Sequence, residues 1–217
     1  MFKAISRDNA HLHQDTLESM YQLRHDVFIK RLGWDLDGHE GEEHDQFDND
    51  DAVYLVLEND QKQVVASARM LPTTAPHLLG DVFPQLAYPA LPPVADSIWE
   101  VTRLVVDHRK ERHTCSTIQN ISGSLWCCLA EFGLAMGLNH FVSVSDVRLE
   151  RIMKRVGWSF SRLGDAIDID GIGVAGEFID ISHQVLGTLR RKASITNPVF
   201  NTATLSHNLL PTTKEAA

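Results

Sequence analysis

The 217-residue chain is sparing with cysteine, with aromatic side chains and with long apolar runs. Its three cysteines, Cys115, Cys127 and Cys128, are odd in number and form no C-x-x-C pair, which argues against a disulfide framework. Cys127 and Cys128 sit in an apolar helical pattern and read as core residues. No helical zinc pair presents itself: His39 and His44, like His108 and His113, are five apart rather than four. The calcium-loop pattern fails as well, since Asp35 and Asp37 run into Gly38 without a third ligand. No metal site is therefore expected. The longest apolar run, LWCCLAEFGLAMGL, is broken by Glu131 and too short for a bilayer span, so no membrane partner is expected. The opening MFKAISRDNAHLH carries charge and His where a signal peptide needs an apolar stretch, so a cytoplasmic protein with reduced thiols is expected. Basic excess is also missing. With 29 acids, 20 bases and a net charge of -9, the composition argues against nucleic acid as partner. There is no internal repeat and no low-complexity segment.

What is present is concentrated. Residues 35–51, DLDGHEGEEHDQFDNDD, hold nine carboxylates and no Lys or Arg. Set those nine aside and the remaining chain is balanced at 20 acids and 20 bases. Acids this dense need water or cations around them, and a solvated loop is the plain interpretation. Two features favour cations. Aromatic Trp34 and Phe47 interleave with the acids. Arg24, Arg69 and Arg103 stand in apolar surroundings nearby, in YQLRHDVF, VVASARML and WEVTRLVV, where burial requires an anionic partner.

In chain order, Leu17, Met20, Tyr21, Leu23, Val27 and Phe28 predict an amphipathic helix over 15–31, capped by Asp15 or Thr16 with Glu18 and ended by Gly33. AVYLVLEND and QVVASARML read as an antiparallel hairpin turning at Asn59-Asp60. A Pro-punctuated excursion follows, with a short helical piece near 82–86. SIWEVTRLVVD is the next strand, in which Glu100 and Arg103 share a face only if the strand bulges between them. A basic cluster, HRKERHTCS, leads into a helix from about 116 to 136 closed by Gly137, a place suited to an anion or equally to solvent. A strand HFVSVS, a helix VRLERIMKRVGW with Val147, Ile152 and Val156 on its apolar face, glycine-broken strand material and a helix HQVLGTLRRK complete a single domain over 1–193. Residues 194–217 read as a loosely held tail. The order predicts an α/β, three-layer α-β-α sandwich with a mixed, mainly antiparallel sheet.

Together these positions resemble the bacterial N-acyl-homoserine-lactone synthases, the autoinducer synthases of quorum sensing. The resemblance rests on Arg24, Phe28 and Trp34, on Asp45 and Asp48 in HDQFDND, on Arg69 in SARML, Phe83 in DVFP, and Glu100 with Arg103 in WEVTR. ERIMKRVGW extends it. It implies a fold similar to the GCN5-related N-acetyltransferases. It also implies a two-part reaction in which S-adenosylmethionine is acylated on its amine by an acyl thioester and then lactonises, releasing methylthioadenosine.

The implied roles follow. Phe28 and Trp34 would enclose the adenosyl and sulfonium groups. Asp45 and Asp48 would receive the ammonium, and Arg24 or Arg103 the carboxylate, while Arg69 ties the acids in place. Glu100, with Asp45 as second choice, would take the amine proton as general base. Phe83, Leu104, Val105, Trp126, Leu129, Phe141, Ser145, Met153 and Trp158 would hold the acyl donor, with Ser145 bearing on a C3 oxygen. Arg109, Lys110 and Arg112 would meet an acidic acyl carrier protein or the phosphates of coenzyme A. No cofactor beyond the two substrates is implied. An acyltransferase of the same fold acting on another amine, and a non-catalytic ligand sensor, remain as alternatives.

Overall fold

A computed structural model describes residues 1–107, 109, 120–206 and 208–209. Its elements run β1 (Lys3–Ile5), α1 (Gln14–Arg24), β2 (Gly38–His39), β3 (Glu42–Glu43), β4 (Val53–Glu58), β5 (Val64–Pro72), α2 (Leu78–Asp81), β6 (Ile98–Val106), α3 (Ile121–Ala135), β7 (His140–Asp146), α4 (Arg148–Val156), β8 (Phe160–Arg162), β9 (Ile167–Ile169), β10 (Ile172–Asp180) and α5 (His183–Ala193). One eight-stranded sheet takes the order β1-β4-β5-β6-β7-β10-β8, with β9 beside β10, and β2–β3 form a separate small hairpin. Among the described residues, every strand pairing in that sheet is antiparallel except β6–β7. Helices cover both faces, so the central strands β4 and β5 are buried on both sides rather than alternating. On one face Leu55, Ala68, Val101 and Phe141 pack against Leu125 and Phe132 of α3, with Met153 of α4 and Leu189 of α5. On the other, Tyr54, Val56 and Leu71 pack under Met20, Leu23 and Val27 of α1. The three-layer α/β sandwich expected from the sequence is the one observed. No helix among the described residues is long and apolar enough to cross a membrane.

Several local expectations are corrected. The first helix starts at Gln14, with His13 at the N-cap and no side-chain cap, because the Thr16 hydroxyl is committed to Glu58 at 2.6 Å. From His25 to Arg31 the helix widens into a π-helix, a form common at functional sites. In α4 it is Glu150 and Met153 that are buried, while Ile152 points to solvent. The start of α3 is fixed at the Asn120 N-cap, and the predicted helical residues before it lie outside the described residues.

The segment after Ala193 is not loose where it is described. Val199 and Phe200 are buried beside Phe2, whose backbone brackets them through Phe2 N to Val199 O and Asn201 N to Phe2 O. The Glu131 carboxylate, the one break in the apolar α3 run, accepts both the Val199 and Phe200 amides at 2.9 and 2.8 Å. A helix residue thus fastens the C-terminal segment to the first strand.

Two irregularities in β6 shape the functional region. Between Ser67↔Val105 and Arg69↔Thr102, β5 has one residue and β6 has two, a bulge at Arg103, which sits at φ +50°. The bulge returns Arg103 to the face of Glu100 and Thr102 and sends Leu104 alone to the other side. β6 and β7 pair over only three residues, ending at Glu100↔Val142. Beyond that point no pairing between them is found among the described residues, which leaves a gap between the two strands.

Candidate active site

The arginines predicted to need anions find them in the acidic loop. Arg24 bonds Glu43 at 2.6 Å and Asp48 at 2.8 Å. Arg69 bonds Asp45 at 2.5 Å and Asp48 at 2.9 Å. Arg103 bonds Glu43 at 2.8 Å and Asp45 at 2.7 Å. Six side chains therefore close a ring in which cation and anion alternate, Arg24–Glu43–Arg103–Asp45–Arg69–Asp48. Its formal charge is zero. Buried charges are tolerable only when paired and hydrogen-bonded on every side, and the ring meets that condition. Tyr54 adds a hydroxyl to Asp48 at 2.9 Å, and Thr102 accepts from Arg69 Nε at 3.1 Å.

The ring changes the roles open to its acids. Asp48 is 2% exposed, and its two oxygens already accept from Arg24, Arg69, Tyr54 and the Asp45 amide. It holds the loop and has no edge left for a ligand ammonium. Asp45 is 15% exposed and reaches the surface of a cavity. Burial works to raise both acids, but the hydrogen bonds and charge of Arg24 on Asp48, and of Arg69 and Arg103 on Asp45, hold them below the usual carboxylate range. Glu43 was not singled out by the sequence. Its signal is its place two residues before Asp45 on the short β3, which turns Glu43 inward and Glu42 toward solvent.

In front of the ring lies a cavity of about 660 Å³ lined by Asp35, Leu36, Asp37, Glu43, His44, Asp45, Gln46 and Arg103. One cation faces several acids there, and Asp35 and Asp37 on the exposed rim are acids the ring does not neutralise. Trp34 stacks on Phe28 at 4.9 Å, and the Arg103 guanidinium lies 5.8 Å over the Phe28 ring. Arg24 reaches the ring from the last residue of α1, and the π-helix that follows it carries Phe28 beneath Arg103.

Glu100 shares the ring's face of the sheet, as the bulge requires, but is fully buried. Its oxygens accept the Leu78 and Leu79 amides at 2.9 and 2.7 Å, at the start of α2. Burial raises its proton affinity, the two amides oppose that, and the net shift is upward.

On the opposite face, beside the gap between β6 and β7, a narrow cavity of about 30 Å³ is walled by apolar side chains. Leu104, Trp126, Leu129, Phe141, Met153 and Trp158 line it as expected, and Val101, Ser143, Leu149 and Ile179 join them. Three expected residues do not line it. Val105 is carried by the bulge to the α1 face. Phe83 packs with Leu79, Leu86 and Val142 on the α2 side. Ser145 turns its hydroxyl to Glu177 at 2.6 Å. Arg109 is exposed and paired with Asp107 at 3.0 Å, whereas Lys110 and Arg112 lie outside the described residues.

Residues 8–187 match the family model described as autoinducer synthase. The chain belongs to the autoinducer synthase family. An acyl-homoserine-lactone synthase of Acinetobacter nosocomialis is 34% identical over 163 residues, which cover 73% of this chain and 88% of that one. A solved coenzyme A-dependent acyl-homoserine lactone synthase, BjaI with S-adenosylmethionine and isopentyl-coenzyme A, superposes with a TM-score of 0.82 at 29% identity, covering 93% and 92% of the two chains. An acyl-coenzyme A N-acyltransferase from Pseudomonas aeruginosa, at 15% identity and a TM-score of 0.53 over 82% of this chain and 97% of that one, shares the fold alone. This autoinducer synthase makes an acyl-homoserine lactone, a quorum-sensing signal, by acyl transfer.

Proposed function

We propose that the acid-rich cavity seats S-adenosylmethionine and that the apolar cavity across the sheet receives the acyl chain of a coenzyme A thioester, the two meeting at the gap between β6 and β7. The observation that carries this reading is the position of Arg103. Its bulge puts a guanidinium on the wall of the acidic cavity while its neighbour Leu104 lines the apolar one. The solved relative holding S-adenosylmethionine and isopentyl-coenzyme A supports the same pair of substrates.

In this assignment Arg103 holds the methionyl carboxylate. Asp45, with Asp35 and Asp37 on the rim, faces the ammonium and sulfonium, and Trp34 with Phe28 offers an aromatic surface worth on the order of 0.5–2 kcal/mol to a cation. Arg24, Arg69, Glu43 and Asp48 hold this arrangement without touching substrate. The amine attacks the thioester carbonyl, coenzyme A leaves as the thiolate, and one proton is lost. The carboxylate then attacks its own γ-carbon, and the C–S bond breaks to give methylthioadenosine. Glu100, whose carboxyl burial pushes upward, is the candidate base, while Arg69 and Arg103 hold Asp45 too acidic to take the proton. Neither step is a redox step, so no cofactor is needed. Trp126 and Trp158, edge to face at 5.8 Å, are among the side chains that bound the space open to the acyl chain. The buried free thiols Cys127 and Cys128 suit the reducing cytoplasm.

Mass spectrometry of the protein incubated with S-adenosylmethionine and a set of acyl-coenzyme A and acyl-carrier-protein donors tests this reading. It predicts an acyl-homoserine lactone and methylthioadenosine in equal amounts, fastest with an acyl-coenzyme A donor. Amide formation without methylthioadenosine would overturn the lactonisation, and turnover confined to carrier-protein donors would overturn the donor assignment.

A further inference from the structure

A carboxylate as deeply buried as Glu100 stays ionised only if its surroundings favour the charge. The Leu78 and Leu79 amides do so, and Arg69 acts on it as well, but the Arg69 charge is already engaged by Asp45 and Asp48. The remaining group is His77. It stands directly before the two amides, as the N-cap of α2, and is itself only 4% exposed. Its backbone N–H donates to Asp81 Oδ2 at 2.8 Å, and its Nδ1 lies 2.9 Å from the Ala75 carbonyl. A carbonyl only accepts, so Nδ1 carries a hydrogen. Nε2 is buried with no hydrogen-bond partner among the described residues, and most buried polar atoms are paired. The ring can therefore carry a second proton, at Nε2, while both bonds that hold the residue stay intact. It also lies tightly against Gly80, where a Cβ would come within 2.6 Å of Cε1 and 2.9 Å of Nε2.

We propose that His77 is a positioning residue for the acylation step, an imidazolium that keeps the buried Glu100 carboxylate free of a proton until the substrate ammonium delivers one. This inference rests on the reading of Glu100 as the general base. In the step it serves, one N–H bond of the ammonium breaks, an O–H bond forms on Glu100, and the freed electron pair attacks the thioester carbonyl. His77 touches no substrate and its own charge does not move. The titratable and charged groups around the pair are Arg69 of β5 and the exposed Asp81 of α2. What α2 meets on β7 and on residues 84–87, Val142 and Leu86, is apolar. The His77 charge works to lower the proton affinity of Glu100, against the burial that raises it. Without that charge Glu100 holds its proton to a higher pH, and the form that cannot act as a base persists further up the pH scale.

The test follows kcat against pH at saturating S-adenosylmethionine, with hexanoyl-coenzyme A and in parallel hexanoyl-acyl carrier protein, in the wild type, His77→Asn, Gly80→Ala and Glu100→Gln. The wild-type rate should fall on the acid side as Glu100 takes up its proton. His77→Asn keeps an N–H donor for the Ala75 carbonyl but carries no charge. It should move the midpoint of that fall up by about one pH unit, about a tenfold loss of rate below the wild-type midpoint, and leave KM for S-adenosylmethionine within about twofold. Gly80→Ala retains the imidazole but displaces the ring, so its midpoint should move too, and it decides the matter alone if His77→Asn does not fold. Midpoints within about 0.3 of a pH unit of the wild type, or a His77→Asn defect confined to KM, would overturn the proposal and leave His77 a structural cap. Glu100→Gln separates the two levels of argument. If it turns over at the wild-type rate, the general-base reading fails and this inference with it. If it abolishes turnover while the other two variants keep the wild-type midpoint, only the role of His77 falls.

Discussion

Glu42 and Glu43 are adjacent, chemically identical and destined for opposite outcomes on amidation. Glu43 is buried and accepts from Arg24 Nε at 2.6 Å and from Arg103 Nε and Nη2 at 3.1 and 2.8 Å. Glu43→Gln conserves volume, so no cavity is created, but the ring then has three guanidiniums and two carboxylates. One positive charge is left buried without a counter-charge. Breaking a buried ion pair in this way costs about 3–5 kcal/mol. For a domain of this size each kcal/mol moves the melting temperature by roughly 2–4 °C, so the variant should melt about 6–20 °C lower. Glu42 is 26% exposed, and His44, at 3.0 Å, is its one ion-pair partner among the described residues. Glu42→Gln should cost under about 0.5 kcal/mol, a shift of roughly 2 °C or less. Thermal unfolding of both variants at neutral pH, followed by circular dichroism, measures the contrast. Two shifts within about 3 °C of each other would refute the account of the ring.

Asp45 and Asp48 are both held below their unfolded proton affinity, so the stability they contribute is complete above about pH 4 and disappears as the pH falls through the folded values. The melting temperature should be flat from pH 7 to 5 and drop steeply below 4, and Asp48→Asn should start lower and show a shallower acid limb. Trp34 is half exposed and stacked on one ring, so Trp34→Ala should raise KM for S-adenosylmethionine by about tenfold, or 1.4 kcal/mol, with a melting shift under about 3 °C; an unchanged KM would remove Trp34 from the site. Removing residues 194–217 exposes the core contacts of Phe200, Val199 and Leu205, each worth about 1.5–3 kcal/mol, so the truncated protein should unfold or aggregate at 37 °C. A soluble truncation melting within 5 °C of the full chain would contradict that.

The layers, the hairpin and the pairing of the three arginines with the acidic loop were legible because they follow from local rules, namely apolar spacing, turn residues and the need of buried arginines for anions, although Glu43 was not picked out among those acids. What stayed hidden depended on geometry that composition does not carry. Asp48 and Asp45 look alike in sequence, yet only Asp45 keeps an edge at the cavity. The resemblance implied Val105 in the acyl cavity, and the bulge at Arg103 turns it to the α1 face instead. The segment around Phe200 looked loose since its Thr, Asn and Pro content is that of a tail, and the two amides that hold it belong to Glu131, nearly seventy residues away. Glu177 stands in a glycine-rich stretch with nothing to mark it as buried.

The extra residue in β6 acts as a phase shift between two halves of one strand. Deleting Leu104 would restore strict alternation, turning Arg103 toward the α3 side and withdrawing one of three cations from the ring. Loss of a single codon there would leave composition, charge and most of the sheet as they were, while unmaking the binding site. Variation in this lineage should therefore tolerate many replacements along that strand but almost no change in its length.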